Sequence, residues 1–189
     1  MSVTQIAYRF RGLLMSPPYI IGIFCSVYET KMDWLTWPLG ISIFLVGMML
    51  RVWAQEHLHY RLNIKKFLTT TGPYLVTRNP IYVGNIFMCL GAIITSKLLW
   101  FAPIALLYSF SLYSLVVHHE EKHLLKKYGE PYQRYMSEVP RWLPRTMTFR
   151  NLDLINKYFL TSVGVEIHCL LALLPFILKE FVSSWIEHL

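Results

Sequence analysis

Long apolar runs alternate along this chain with short polar stretches, a pattern that predicts helices long enough to cross about 30 Å of hydrocarbon. Uncharged runs cover residues 12–28, 34–50, 79–96 and 98–117, and a fifth, 158–178, is interrupted by Glu166. The pattern predicts an all-α fold: a polytopic transmembrane helical bundle of about five spans, with cytosolic loops and a short helix forming a pocket. Pro17-Pro18 sits early in the first run and should kink or delay its helix. No small-residue cleavage site follows that run, so it reads as a span rather than a signal peptide.

Composition agrees, with 54% hydrophobic and 15% charged residues. Basic residues set an orientation. With the N-terminus inside, all Lys and Arg except Lys31, Lys97 and Lys179 fall on the inner side, out of 18 in total. That asymmetry follows the positive-inside rule. The N-terminus and both long loops are then cytoplasmic and the C-terminus outside. The net charge of +7 suits anionic lipid headgroups, so no nucleic-acid partner is expected. Cys25, Cys89 and Cys169 lie within spans and give neither a disulfide framework nor a metal-ligand spacing. His119 and His123 stand four apart without a third recognisable ligand, so no metal site is expected. No internal repeat appears, and residues 1–189 read as one integral-membrane domain.

Two polar blocks occupy the long inner loops. The first is Thr71-Gly72-Pro73-Tyr74, a turn signal, followed by Arg78-Asn79-Pro80-Ile81-Tyr82-Val83-Gly84. Asn79 at the N-cap and Pro80 at the first helical position mark a helix start whose positive dipole end favours an anionic group. The second block comprises Glu120-Glu121, then Tyr128-Gly129-Glu130-Pro131-Tyr132 and Val139-Pro140-Arg141-Trp142-Leu143-Pro144. Gly129 and Pro131 predict a break and a short second helix through Met136. Leu124, Leu125, Tyr128, Tyr132 and Tyr135 share a face at spacings of three and four. Adjacent helical residues diverge by about 100°, so one of Glu120 and Glu121 faces a shared site. That carboxylate could recognise a cationic ligand group; the plain alternative is a pair of solvated interfacial charges. Arg78 reads as a lipid-interface anchor, or as a partner of a ligand carboxylate, of Glu120 or of Glu121. Tyr82 can offer a ring face to a sulfonium cation. Glu166 and His168 are costly in lipid and should face protein or water.

Together the two blocks resemble the integral-membrane methyltransferase superfamily, which includes isoprenylcysteine carboxyl methyltransferases, phospholipid methyltransferases and many bacterial relatives. The resemblance covers about residues 47–145, flanking a helical hairpin, with an additional C-terminal helix near 158–178. It implies S-adenosyl-L-methionine as cofactor, a lipophilic, membrane-borne acceptor, and a bacterial inner membrane in preference to the endoplasmic reticulum. By position, Lys66, Phe67, Leu68 and Thr69 would line the cofactor through backbone groups, and Tyr74, Asn79, Pro80, Ile81 and Tyr82 would contact it. Glu120 matches the carboxylate that holds the methionine ammonium. Arg78, Glu121 and Arg141 are the expected catalytic residues. Lys66 and Asn79 stand where the carboxyl methyltransferases carry His, and Val116 where they carry a substrate-contacting Arg, which leaves the acceptor open.

The implied chemistry is direct in-line methyl transfer, driven mainly by proximity. A carboxylate acceptor needs no base; an amine or thiol does, and Glu121, His118 and His119 are the nearest candidates. Two other readings remain at this level: an NADPH-dependent membrane reductase related to sterol reductases, and a non-catalytic membrane assembly or transport partner.

Overall fold

The computed structural model describes residues 2–62, 67–143 and 155–187, whose regular secondary structure is all helical, without a strand among them. The helices are α1 (Val3–Arg9), α2 (Arg11–Leu14), α3 (Ser16–Phe24), α4 (Asp33–Leu62), α5 (Pro80–Thr95), α6 (Ala102–Tyr128), α7 (Glu130–Glu138), α8 (Phe159–Glu166) and α9 (Leu174–Glu187), with 3₁₀ turns at Gly72–Leu75 and Ile167–Leu173.

The pairing of α4 with α5 is the most extensive in the molecule. Glycines make it possible. A Cβ on Gly47 would lie 2.6 Å from the Gly84 carbonyl oxygen, and one on Gly91 would lie 2.5 Å from the Phe44 nitrogen. Gly40 meets Gly91 and Gly47 meets Gly84, so the helices run antiparallel with their backbones in contact. α6 packs on α5 and on α1, α8 packs on α4, and α3 joins α5 and α9. The main apolar core joins Ile86, Cys89 and Ile93 of α5 with Ala105, Leu112, Tyr113 and Val116 of α6. A second cluster joins Phe44, Met88 and Ala92 to Leu173 and Phe176.

Two helical stretches among the described residues are long and apolar enough to cross a membrane, Asp33–Leu58 and Phe159–Lys179, and Pro80–Thr95 is a shorter apolar helix. The other expected spans take a different form. The run 12–28 is divided, because the backbone leaves the helix at Met15 and α3 restarts with prolines in its first turn. The fourth run lies in α6, whose apolar first half continues without interruption into the charged residues up to Tyr128. The last run is broken after Glu166 by a 3₁₀ turn.

The connections follow the turn chemistry. α5 and α6 are joined through Ser96–Phe101, where Lys97 adopts φ 63° and pairs with Asp33 at 3.1 Å. Gly129, at φ 60°, stops α6, and α7 begins at once. Tyr132, Tyr135 and Val139 of this segment pack with Leu68, Leu124, Tyr128 and Met136. Leu125, expected on the same face, is exposed instead and stands outside this cluster.

A cavity between two polar blocks

The two polar blocks meet. The amide of Arg78 donates to the Pro140 carbonyl at 3.0 Å. The Thr77 hydroxyl and the Asn79 side-chain amide both donate to the Arg141 carbonyl, at 3.0 and 3.1 Å. Asn79 does occupy the N-cap of α5, yet its side chain makes no capping bond there, since it is spent on Arg141. Above this seam the 3₁₀ turn at Gly72–Leu75 rests on α4: Thr71 and His57 approach to 2.9 Å, and Gly72 at φ 58° passes so close that a Cβ would meet the His57 ring at 2.1 Å.

A cavity of about 630 Å³ opens between these elements. That is within the 300–1,000 Å³ range common for small-molecule sites. Phe67, Leu68, Thr69, Tyr74, Arg78, Asn79, Pro80, Ile81, Tyr82 and Glu120 all line it. Lys66 lies outside the described residues.

The adjacent carboxylates go different ways. Glu120 faces the cavity and accepts a hydrogen bond from the Tyr82 hydroxyl at 2.8 Å. Glu121 turns inward, 7% exposed. One of its oxygens lies 2.5 Å from Arg141 Nη2 and the other 3.4 Å from Arg78 Nη2. Arg78 thus contributes to the cavity wall and is tied to Glu121, while Glu121 and Arg141 are not among the lining residues. The same holds for the other two bases considered for an amine or thiol acceptor. His118 is exposed, and the His119 ring sits 5.2 Å from that of Tyr8. Val116 is fully buried in the apolar core and does not reach the cavity.

Tyrosines supply much of the remaining wall. Tyr135 donates its hydroxyl to the Tyr74 carbonyl at 2.7 Å, which fixes α7 against the 3₁₀ turn. Burial raises the phenol pKa values of Tyr74 and Tyr135, and burial with the nearby Glu121 charge pushes Tyr132 up to about 12. All three remain neutral hydroxyls at physiological pH.

Sequence reasoning missed a further group. Arg11, Arg51, Asn85 and Glu166 line the same cavity. Arg51 pairs with Glu166 at 2.7 Å and also donates to Asn85. The intramembrane cost of Glu166 was the one available signal, but it could not name a partner more than a hundred positions away.

The polarity of the cavity suits a ligand that carries both a cationic and an anionic group: a carboxylate stands in its wall beside tyrosines, whose ring faces attract cations, and guanidinium groups line it too. Comparison with known proteins finds relatives of this chain. The chain is 32% identical over 113 residues to the cobalt-zinc-cadmium resistance protein CzcN of Cupriavidus metallidurans, which covers 59% of the chain and 49% of that relative. It is 30% identical over 126 residues to the nickel-cobalt-cadmium resistance protein NccN of Alcaligenes xylosoxydans xylosoxydans, covering 67% of the chain and 54% of the relative. It is also 30% identical over 142 residues to the protein-S-isoprenylcysteine O-methyltransferase of Schizosaccharomyces pombe, covering 69% and 56%. The chain therefore spans about half the length of the curated relatives it matches. No solved structure matches it. The phospholipid methyltransferase model matches residues 35–131, which run from α4 through the hairpin into α7 and hold most of the cavity wall, and the chain therefore belongs to that family.

Proposed function

We propose that this protein is a membrane methyltransferase that uses S-adenosylmethionine and acts on a lipophilic acceptor drawn from the bilayer. The observation that carries this reading is Glu120, held by Tyr82 at 2.8 Å and facing a 630 Å³ cavity within the family-matched region. Glu120 receives the cofactor's ammonium, and the faces of Tyr82 and Tyr74 lie beside the cationic sulfur. The backbone of Phe67–Thr69 and the start of α5 complete the wall. Bound there, the cofactor supplies an electrophilic methyl group.

The chain's own part is binding, alignment and exclusion of water. Holding two reactants in line can supply roughly 7–11 kcal/mol of the barrier. Arg78 and Arg141 act as positioning residues: through Glu121 and the seam of residues 77–79 with 140–141, they fix the turn that places Glu120 and Tyr82. Neither Glu121 nor His118 or His119 opens into the cavity, which favours an acceptor that needs no base from these three. Both the family's description and the name of the S. pombe relative point to membrane-borne acceptors, which agrees with the apolar helices around the site. We place the N-terminus and both polar blocks in the cytosol.

Calorimetric titration of purified, detergent-solubilised protein with S-adenosylhomocysteine tests the reading. Wild type is expected to bind, and Glu120→Gln to weaken binding about tenfold, because hydrogen bonds to charged groups contribute ~1.5–3 kcal/mol. Tyr82→Phe should weaken it less. Unchanged affinity in Glu120→Gln would remove Glu120 from the site, and absence of binding by wild type would end the methyltransferase reading.

A further inference from the structure

Arg51 and Glu166 lie within the two stretches long and apolar enough to cross a membrane, and both line the cavity. Ionisable residues at such depth are expensive and persist where they pair or serve a ligand. Here they pair: Arg51 Nε and Nη2 contact Glu166 Oε2 at 2.8 and 2.7 Å, and Arg51 Nη1 donates to Asn85. A guanidinium carries five N–H donors in one plane, more than these two partners take up. The Arg51 side chain is 18% exposed and that of Glu166 only 5%, so the arginine is the more accessible member of the pair.

Its place relative to Glu120 follows from α5. Asn85 stands three residues beyond Tyr82, on the same face and about 4.5 Å further along the helix. Tyr82 donates to Glu120 and its ring lies tilted at 5.0 Å from that of Tyr113, and Asn85, one turn beyond Tyr82, accepts from Arg51. One cavity therefore carries a carboxylate at its outer end and a guanidinium one turn deeper in the apolar bundle. Arg11 also lines it, its guanidinium donating to the Tyr8 carbonyl at 2.9 Å.

We propose that Arg51 forms the acceptor subsite: it receives an anionic group, a carboxylate or a phosphate, on the lipophilic molecule to be methylated. Glu166 is its positioning residue, holding the guanidinium in place and offsetting its charge until the acceptor enters. This rests on the methyltransferase reading and goes beyond it in naming the recognised charge. Arg51 lies inside the family-matched residues 35–131 and Glu166 outside them, so the positioning partner comes from beyond the matched stretch.

The test uses full-length protein in nanodiscs saturated with S-adenosylhomocysteine, and tryptophan fluorescence titrations with three probes of equal chain length: dodecanoate, dodecyl phosphate and dodecylamine. Wild type is expected to bind one of the anions at least tenfold more tightly than the amine, and the better anion identifies the group. Arg51→Gln should abolish that preference while S-adenosylhomocysteine affinity stays within twofold. Glu166→Gln should keep or strengthen it. The double variant Arg51→Gln/Glu166→Gln, which leaves neither charge orphaned, should bind like Arg51→Gln and covers the case in which a single variant fails to fold. A wild-type preference for the amine would overturn the proposal, as would an anion preference that survives loss of Arg51. Failure of wild type to bind S-adenosylhomocysteine would instead remove the methyltransferase reading beneath it.

Discussion

Glu120 and Glu121 are chemically identical neighbours with opposite surroundings. One faces a cavity with a phenol for a partner; the other is closed in by two guanidinium groups. Breaking a buried ion pair leaves an uncompensated charge, a loss of several kcal/mol. Glu121→Ala orphans Arg78, whose side chain is 11% exposed, and Arg141, at 38%. The partial exposure of Arg141 softens the penalty, so the expected cost is roughly 3 kcal/mol, at the low end of that range. Thermal unfolding in detergent should show a clear drop in Tm for Glu121→Ala and a much smaller one for Glu120→Ala. Equal drops would mean that Glu120 is as structural as its neighbour. The divergence of the two carboxylates was legible in the sequence from helical geometry alone. Which of them faces the cavity was set by Arg141, whose approach depends on a tertiary seam.

At the scale of elements, the contact between α4 and α5 decides whether the cavity has walls. Gly47 and Gly84 let the helices touch, with no room for a side chain between them: the hypothetical Cβ on Gly47 lies within 2.9 Å of Gly84, Met88 and Phe87. Overpacking of this kind typically costs 1–3 kcal/mol, and more where backbone must move. Gly47→Val is expected to lower Tm and weaken S-adenosylhomocysteine binding together, because Gln55 and Leu58 on α4 and Tyr82 on α5 line the same cavity. Gly164→Ala, where nothing lies within 4 Å, should do neither. A tolerated Gly47→Val would show that the helices can separate without loss of the site. The turn residues were readable in advance, since Gly129 and Asn79-Pro80 act locally on their own backbone. The glycine seam was not, because the spacing shows which residues are small and not which helix they meet.

For the whole molecule, the distribution of Lys and Arg is what supports the proposed topology, with the N-terminus in the cytosol and the C-terminus on the far side. Cysteine-accessibility mapping on a cysteine-free background should label Lys127→Cys from the cytosol and Lys31→Cys from outside; the reverse pattern would invert the topology. The two polar blocks were legible as partners because both fall between apolar runs on one side. The Arg51–Glu166 pair was not, since 115 positions separate its members and neither stands in a motif. The span count likewise depends on where helices break: Pro17-Pro18 announced the break at Met15, while the 3₁₀ turn after Glu166 carries no strong local breaker of its own.

The seam that joins residues 77–79 to 140–141 has a mechanical consequence. Chain entry and exit of the α5–α6 hairpin are tied together by three hydrogen bonds. Tension arriving along the chain from either terminus passes across that neck and bypasses the hairpin itself. The backbone of α5, α6 and α7 between those points is thereby relieved of tension along the chain, and the packing of α4 on α5 and of α1 on α6 is left as the route by which the flanking helices bear on Glu120 and Tyr82.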